Sequence, residues 1–229
     1  MVSMISPGFK RVITFCFAII FLQFLTASPK LHCEPQNSGT KYLRNFSRKE
    51  YKNQSQNWAA VQDKRGIIYV VNHDGVMEFD GVSWREIRVP NKIVRSLAID
   101  DKGIIYVGGI NEIGFLAPDS EKTLKYVSLL DYLNQKYRNF SNVWRTHAAK
   151  EGVYFCTSKY LFLWDYEKII KIAEADSYFA APFLCEGKLY ARQNGTGLMT
   201  VKKDSLELIP GGEAYASESI YMLAKYAPG

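Results

Sequence analysis

The pentapeptide GIIYV occurs twice, at residues 66–70 and again at residues 103–107. Each copy shares its glycine with a polar turn that begins with aspartate, DKRG in the first case and DKG in the second. Related segments, EGVYF and EGKLYA, begin at Glu151 and Glu186. A tyrosine follows the glycine in all four segments, two or three residues later, and the period of the segments is about 40 residues. A unit that recurs at this period predicts a repeat architecture.

Each unit contains four short apolar segments separated by polar turns. One segment precedes the glycine turn, the second carries the tyrosine, and two more follow an Asn- or Gly-containing turn. Glycine and asparagine supply the positive φ that tight hairpin turns require. Four short strands per unit are typical of a β-propeller blade. The predicted fold class is therefore all-β, with blades of four antiparallel strands.

Four blades are predicted within residues 58–229. Their bounds are 58–90, 94–129, 142–173 and 179–210, and residues 217–226 look like the first strand of a fifth blade. A short helix is expected over residues 129–137, between the second and third blades. Because propellers commonly close with about 4 to 8 blades, four blades and one strand predict an incomplete ring. This count favours a fragment of a longer protein.

The N-terminus has the pattern of a secretory signal. Lys10 and Arg11 precede an apolar run over residues 12–27, and we expect a signal peptide over residues 1–28. An uncleaved anchor is the alternative, although the run is shorter than the roughly 20 residues of a spanning helix. Residues 29–57 form a polar lead-in. The predicted location is exported, periplasmic or extracellular, with anchorage in the inner membrane only if the signal stays uncleaved.

The charge of the exported part is mild. The chain has 29 Lys and Arg against 23 Asp and Glu, a net charge of +6, and without Lys10 and Arg11 the balance is 27 − 23 = +4. So small and scattered an excess argues against nucleic acid as a partner.

The first two predicted blades resemble a known family. The segments NW at residues 57–58, GIIY at 66–69 and EFDG at 78–81 are followed by VRSL at 94–97 and EIGF at 112–115. This series resembles the two-component regulator propeller sensors, the exported N-terminal domains of bacterial membrane receptors. The resemblance covers about residues 42–229 and is strongest over residues 58–116.

The resemblance implies a ligand-sensing module that lacks its output domain. Such receptors typically carry two seven-bladed propellers, a triple-tyrosine β-sandwich, one transmembrane helix and a cytoplasmic output such as a histidine kinase. The remaining blades or a second propeller of the parent receptor would then be partners of this chain.

The candidate ligand-binding residues lie in the loops between the second and third strands of each blade. Together with the loops that enter each blade, these loops build one face of a propeller. A polar annulus there suits a small molecule or an oligosaccharide. The predicted residues are His73, Asp74, Asn111, Glu112, Lys159, Gln193 and Asn194.

The sequence predicts no catalytic residue, metal site or cofactor. The three histidines lack metal-ligand spacing, and no Gly-x-Ser-x-Gly elbow occurs. Trp58, Trp84, Trp144 and Trp164 are expected to pack between blades, with a sugar-stacking platform as the alternative.

Two functions remain open at this stage. The favoured one is a non-catalytic extracytoplasmic ligand-sensing module. The alternative is a secreted propeller enzyme acting on polysaccharide, a lyase or a glycosidase. That enzyme would need carboxylates or a His/Tyr cluster that converges where the blades meet, and the sequence shows no such cluster.

Overall fold

Four separate antiparallel sheets make up the computed structural model, which describes residues 43–226. The signal prediction, residues 1–28, lies outside the described residues. The first sheet comprises β1 (Ala59–Gln62), β2 (Ile68–Val71), β3 (Val76–Phe79) and β4 (Trp84–Ile87). The second comprises β5 (Val94–Ile99), β6 (Ile105–Gly109), β7 (Ile113–Pro118) and β8 (Leu124–Ser128).

The other two sheets repeat the arrangement. The third comprises β9 (Val143–Ala149), β10 (Gly152–Thr157), β11 (Tyr160–Trp164) and β12 (Ile169–Glu174). The fourth comprises β13 (Phe183–Cys185), β14 (Lys188–Gln193), β15 (Gly197–Lys202) and β16 (Ser205–Leu208). Each strand pairs with its neighbour in sequence. The prediction of propeller blades of four antiparallel strands is thereby confirmed.

Three apolar cores fill the spaces between consecutive sheets. Residues alternate along a strand, so one strand serves two cores: Ile105 and Val107 face the first blade, whereas Tyr106 faces the third. The repeated tyrosine is buried in each core, as Tyr69 in the first and Tyr154 in the third. The tyrosine that marks the repeat in the sequence is thus the residue that joins one blade to the next.

The aspartate of the repeat organises the turn between the first and second strands. Asp63 Oδ1 accepts hydrogen bonds from the amides of Arg65 and Ile67, at 2.9 and 3.0 Å. Asp100 Oδ1 accepts the equivalent bond from Ile104 at 2.8 Å. Asp100, and not the neighbouring aspartate in the DKG motif, is therefore the structural counterpart of Asp63.

The expected helix at residues 129–137 is two short 3₁₀ turns, Leu130–Tyr132 and Gln135–Tyr137. They do lie between the second and third blades, and Leu129 and Leu133 beside them are buried in the core there. The apolar residues at helical spacing therefore belong to a linker that packs on the core and contains 3₁₀ turns in place of an α-helix.

The lead-in and the fourth blade also differ from their predicted bounds. α1 (Arg48–Tyr51) lies within the lead-in, and the Phe46 ring meets Trp84 edge-on at 5.3 Å, so this part packs on the first blade. The first strand of the fourth blade begins at Phe183, and Phe179 forms only an isolated bridge.

Ser217 to Tyr226, the predicted start of a fifth blade, contains no strand. The fifth blade stays a prediction. No helix within the described residues has the length and apolar character needed to cross a membrane.

Candidate functional site

A β-bulge marks the beginning of the first strand in the second and third blades. In β5 the pairing register shifts between Val94 and Ser96, which leaves Arg95 as the extra residue. In β9 the partners of Cys156 and Thr157 are Arg145 and Val143, which leaves Trp144 extra. A bulge redirects the side chain of its extra residue, and bulges often lie beside functional sites.

The two redirected side chains meet Trp58, which immediately precedes β1. The guanidinium carbon of Arg95 lies 4.0 Å from the ring centroid of Trp58 and 5.5 Å from that of Trp144. The two indole rings are 6.3 Å apart. Three adjacent blades thus contribute one residue each to a Trp–Arg–Trp cluster, held by cation–π contacts.

Two polar neighbours fix the orientation of Arg95. Its Nε donates to Asn142 Oδ1 at 2.8 Å, and its Nη1 lies 2.9 Å from His73 Nε2. Because a guanidinium has no acceptor, His73 Nε2 accepts and the ring proton is on Nδ1. The His73 ring also stacks on Trp58 at 5.9 Å.

The two indoles differ in their polar contacts. Trp144 donates its indole N–H to Ser158 Oγ at 3.0 Å, which ties the first strand to the loop before the third. The indole N–H of Trp58 is buried and has no hydrogen-bond partner among the described residues. Trp144 is 38% exposed, so part of its ring is open to a ligand.

These residues open onto a cavity of about 460 Å³, the first-strand pocket. This volume lies within the range of small-molecule sites. Its lining is Trp58, Arg95, Trp144, Arg145, Thr157, Ser158, Phe179, Ala180, Ala181 and Pro182.

The fourth blade closes one side of the pocket. Between the Phe179–Gln193 bridge and the Phe183–Tyr190 pair, the first-strand side has one more residue than its partner. Residues 179–182 of this segment line the pocket. His147 Nε2 lies 3.0 Å from Pro182 O. Burial lowers the pKa of His147, so the ring donates this bond as a neutral imidazole.

Of the seven predicted site residues, His73 contacts the cluster directly. Asn111 acts one step away: its amide donates to Ser141 O at 2.9 Å, and its Oδ1 accepts the Ser141 amide. These bonds hold the loop that carries Asn142. Glu112 is 3% exposed and accepts hydrogen bonds from Tyr126 and Ser128 at 2.9 and 2.6 Å. Burial raises the pKa of Glu112.

The other four predicted residues have local partners. The amide of Asp74 donates to Asn72 Oδ1 at 2.9 Å. Lys159 pairs with Glu174 at 3.3 Å. Gln193 donates to Thr196 Oγ1 at 2.8 Å, and Asn194 accepts from Arg192 at 3.0 Å. None of the four lines the first-strand pocket. Their role in ligand binding stays a prediction.

Arg95 is not among the residues predicted from the sequence, and Trp58 and Trp144 were expected to pack between blades, with a sugar-stacking platform as the alternative. The structure separates the four tryptophans into two pairs. Trp84 stacks on Phe79 at 4.6 Å and Trp164 meets Tyr132 at 4.9 Å, both in packing contacts, whereas Trp58 and Trp144 line the pocket. The sequence signal that could have identified the cluster is the position of its residues. Trp58, Arg95 and Trp144 each lie at the beginning of the first strand of their blade, in three successive blades.

Within residues 43–226, no group of His, Cys, Asp and Glu is arranged to hold a metal ion. The pocket lining itself contains neither a carboxylate nor a histidine. The chemistry it offers is aromatic stacking, hydroxyl hydrogen bonds and positive charge.

No protein-family model and no curated protein sequence matches the chain. Solved structures do match. The extracellular domain described as that of a one-component system, BT4673 of B. thetaiotaomicron, has a TM-score of 0.51 at 15% identity, over 67% of this chain and 21% of that chain. Virginiamycin B lyase from Staphylococcus aureus has a TM-score of 0.50 at 14% identity, over 72% of this chain and 60% of the lyase.

The extracellular domain of the hybrid two-component system BT3049, also of B. thetaiotaomicron, has a TM-score of 0.47 at 17% identity, over 63% of this chain and 21% of that chain. At 14 and 15% identity, the likeness to the lyase and to the BT4673 domain shows the fold alone, a β-propeller architecture. This chain spans about a fifth of the length of the two receptor domains.

Proposed function

We propose that the chain is a non-catalytic, extracytoplasmic ligand-binding module of a bacterial signal-transduction receptor of the two-component regulator type, and that its ligand occupies the first-strand pocket. The Trp–Arg–Trp cluster carries the proposal. Arg95 and Trp144 are the extra residues of two bulges, which redirect side chains, and both lie beside Trp58.

Export is supported by the signal pattern of residues 1–28. The fold is shared with extracellular receptor domains, which suits the same location. A small molecule or an oligosaccharide is the expected ligand, because indole faces stack on aromatic rings and on the apolar C–H faces of sugars, and Ser158 offers a hydroxyl.

The alternative, a propeller lyase or glycosidase, shares its fold with virginiamycin B lyase. Glycoside hydrolysis commonly needs a carboxylate pair, and general acid–base catalysis needs a titratable group near the reacting bond. Among the ten residues that line the pocket there is no carboxylate and no histidine. This lining favours binding over turnover.

The proposal is tested by titrating the full chain with a panel of neutral and acidic trisaccharides and aromatic acids. Calorimetry and tryptophan fluorescence measure the binding. Trp144→Ala should weaken binding about tenfold or more, since it removes the exposed stacking face. Trp164→Phe is the matched control, because Trp164 packs against Tyr132 outside the pocket, and should bind like the wild type.

Binding that Trp144→Ala leaves unchanged would place the ligand elsewhere and reject the proposal. A bound compound that is recovered as cleaved product after incubation would instead support the enzyme.

A further inference from the structure

The first-strand pocket contains two arginines and no acidic lining residue. Arg95 and Arg145 both line it, and neither forms an ion pair within residues 43–226. Other arginines of the propeller do find carboxylates, as Arg65 does with Asp63 at 2.7 Å. The pocket therefore holds positive charge that the described protein does not neutralise.

Arg95 has hydrogen-bond donors without a partner among the described residues. A guanidinium has five N–H groups, and here Nε donates to Asn142 and Nη1 donates one to His73. One N–H on Nη1 and both on Nη2 have no partner among the described residues. Nη1 and Nη2 together form the end of the guanidinium, and a carboxylate can bind such an end through two parallel hydrogen bonds.

The surroundings make an anion favourable at this position. Burial lowers the pKa of Arg95, because it removes water from the charged guanidinium. An incoming anion would replace the lost water and offset that cost. Trp144 is partly exposed and its ring centroid lies 5.5 Å from the guanidinium carbon, so a ligand ring can contact the indole while its charge reaches Arg95.

We infer, on the basis of the function proposed above, that the ligand bears a carboxylate on a six-membered ring with an apolar face, with the carboxylate on Arg95 and that face of the ring against Trp144. Two kinds of compound have this chemistry, namely uronic-acid saccharides and aromatic carboxylic acids.

Calorimetry on the full chain distinguishes the two sources with paired probes. Trigalacturonate is compared with galactotriose, and benzoate with benzyl alcohol. The acid of at least one pair should bind about tenfold tighter than its neutral partner, and added NaCl should weaken only the acid. The pair that shows the difference identifies the source.

Arg95→Met should weaken binding of the acid by about ten- to hundredfold and leave the neutral partner nearly unchanged. Arg88→Met is the matched control: it removes the same charge from a side chain that is 94% exposed and outside the pocket. If Arg95→Met does not fold, the comparison of acid with neutral partner on the wild-type chain and its salt dependence carry the test.

Equal affinities for acid and neutral partner, both lost in Trp144→Ala, would overturn the inference and leave the proposed function standing. No detectable binding of either acid would also overturn it, and the neutral saccharides would then decide the proposed function on their own.

Discussion

Single residues at the beginning of strands determine what the pocket presents. Arg95 and Trp144 are the extra residues of their bulges, and each side chain is directed by a pairing irregularity of its own strand. A substitution there alters recognition with little effect on the cores, since neither side chain belongs to one.

His147 supports the pocket from behind, and we expect it to make stability depend on pH. Burial, the main cause, lowers its folded-state pKa below the ordinary value of 6.5. The unfolded chain therefore binds a proton first as the pH falls, so the stabilisation is complete above pH 6.5 and is lost below it.

Thermal unfolding between pH 7 and pH 5 checks this expectation. Wild-type Tm should fall by roughly 2–4 °C more than that of His147→Gln, whose amide can keep the bond to Pro182 O without titrating. Carboxylates whose pKa is lowered, such as Asp63, lose their contribution at more acidic pH and do not interfere. Parallel Tm curves for the two proteins would contradict the assignment.

At the scale of elements, the contact between the first strands of the second and third blades is close enough to require a glycine. A Cβ on Gly108 in β6 would lie 2.5 Å from Val143 Cγ1 and 2.6 Å from Ser96 Oγ. Ser96 Oγ is in turn hydrogen-bonded to Val143 O at 2.8 Å. This seam positions the residue just before Trp144.

Gly108→Ala should therefore destabilise the protein by about 1–3 kcal/mol through overpacking and also change the tryptophan emission. Gly103→Ala is the control from the turn before β6, where the added Cβ meets nothing within 4 Å and only the positive φ of 84° is strained. Denaturant unfolding compares them. A Gly108→Ala variant as stable as the wild type, with unchanged emission, would show that the contact between Gly108 and Val143 does not require a glycine.

Much of the element level could be predicted from the sequence, for a physical reason. The turn Asp63 to Gly66 and the buried Tyr69 are local signals, because each depends on neighbours along the chain. The 3₁₀ turns near Leu133 and the late start of β13 at Phe183 could not be predicted, because packing between blades decides them.

The candidate site was less predictable than the fold. Loop polarity pointed to His73, which does contact the cluster. Arg95 was not identified and Trp144 was favoured as a packing residue, because a bulge is a property of strand pairing and leaves no mark in the sequence pattern of one strand.

At the scale of the whole molecule, each blade contacts the next through a separate core, and the pocket is shared by all four. Trp58 comes from the first blade, Arg95 from the second, Trp144 from the third and Pro182 from the fourth. In such an arrangement the stability of the protein depends on each blade and on its interface with the next blade. A ligand in the pocket would therefore stabilise the blades relative to one another, which gives a binding module a route to signal.

A crystal structure of the full chain with the tightest-binding member of the panel tests the ligand site most directly. We expect ligand density in the first-strand pocket, with a ring against Trp144 and a charged group on Arg95. Ligand density at the opposite end of the strands, in the cavity of about 360 Å³ lined by Asp100, Lys150 and Tyr166, with an empty first-strand pocket, would contradict it.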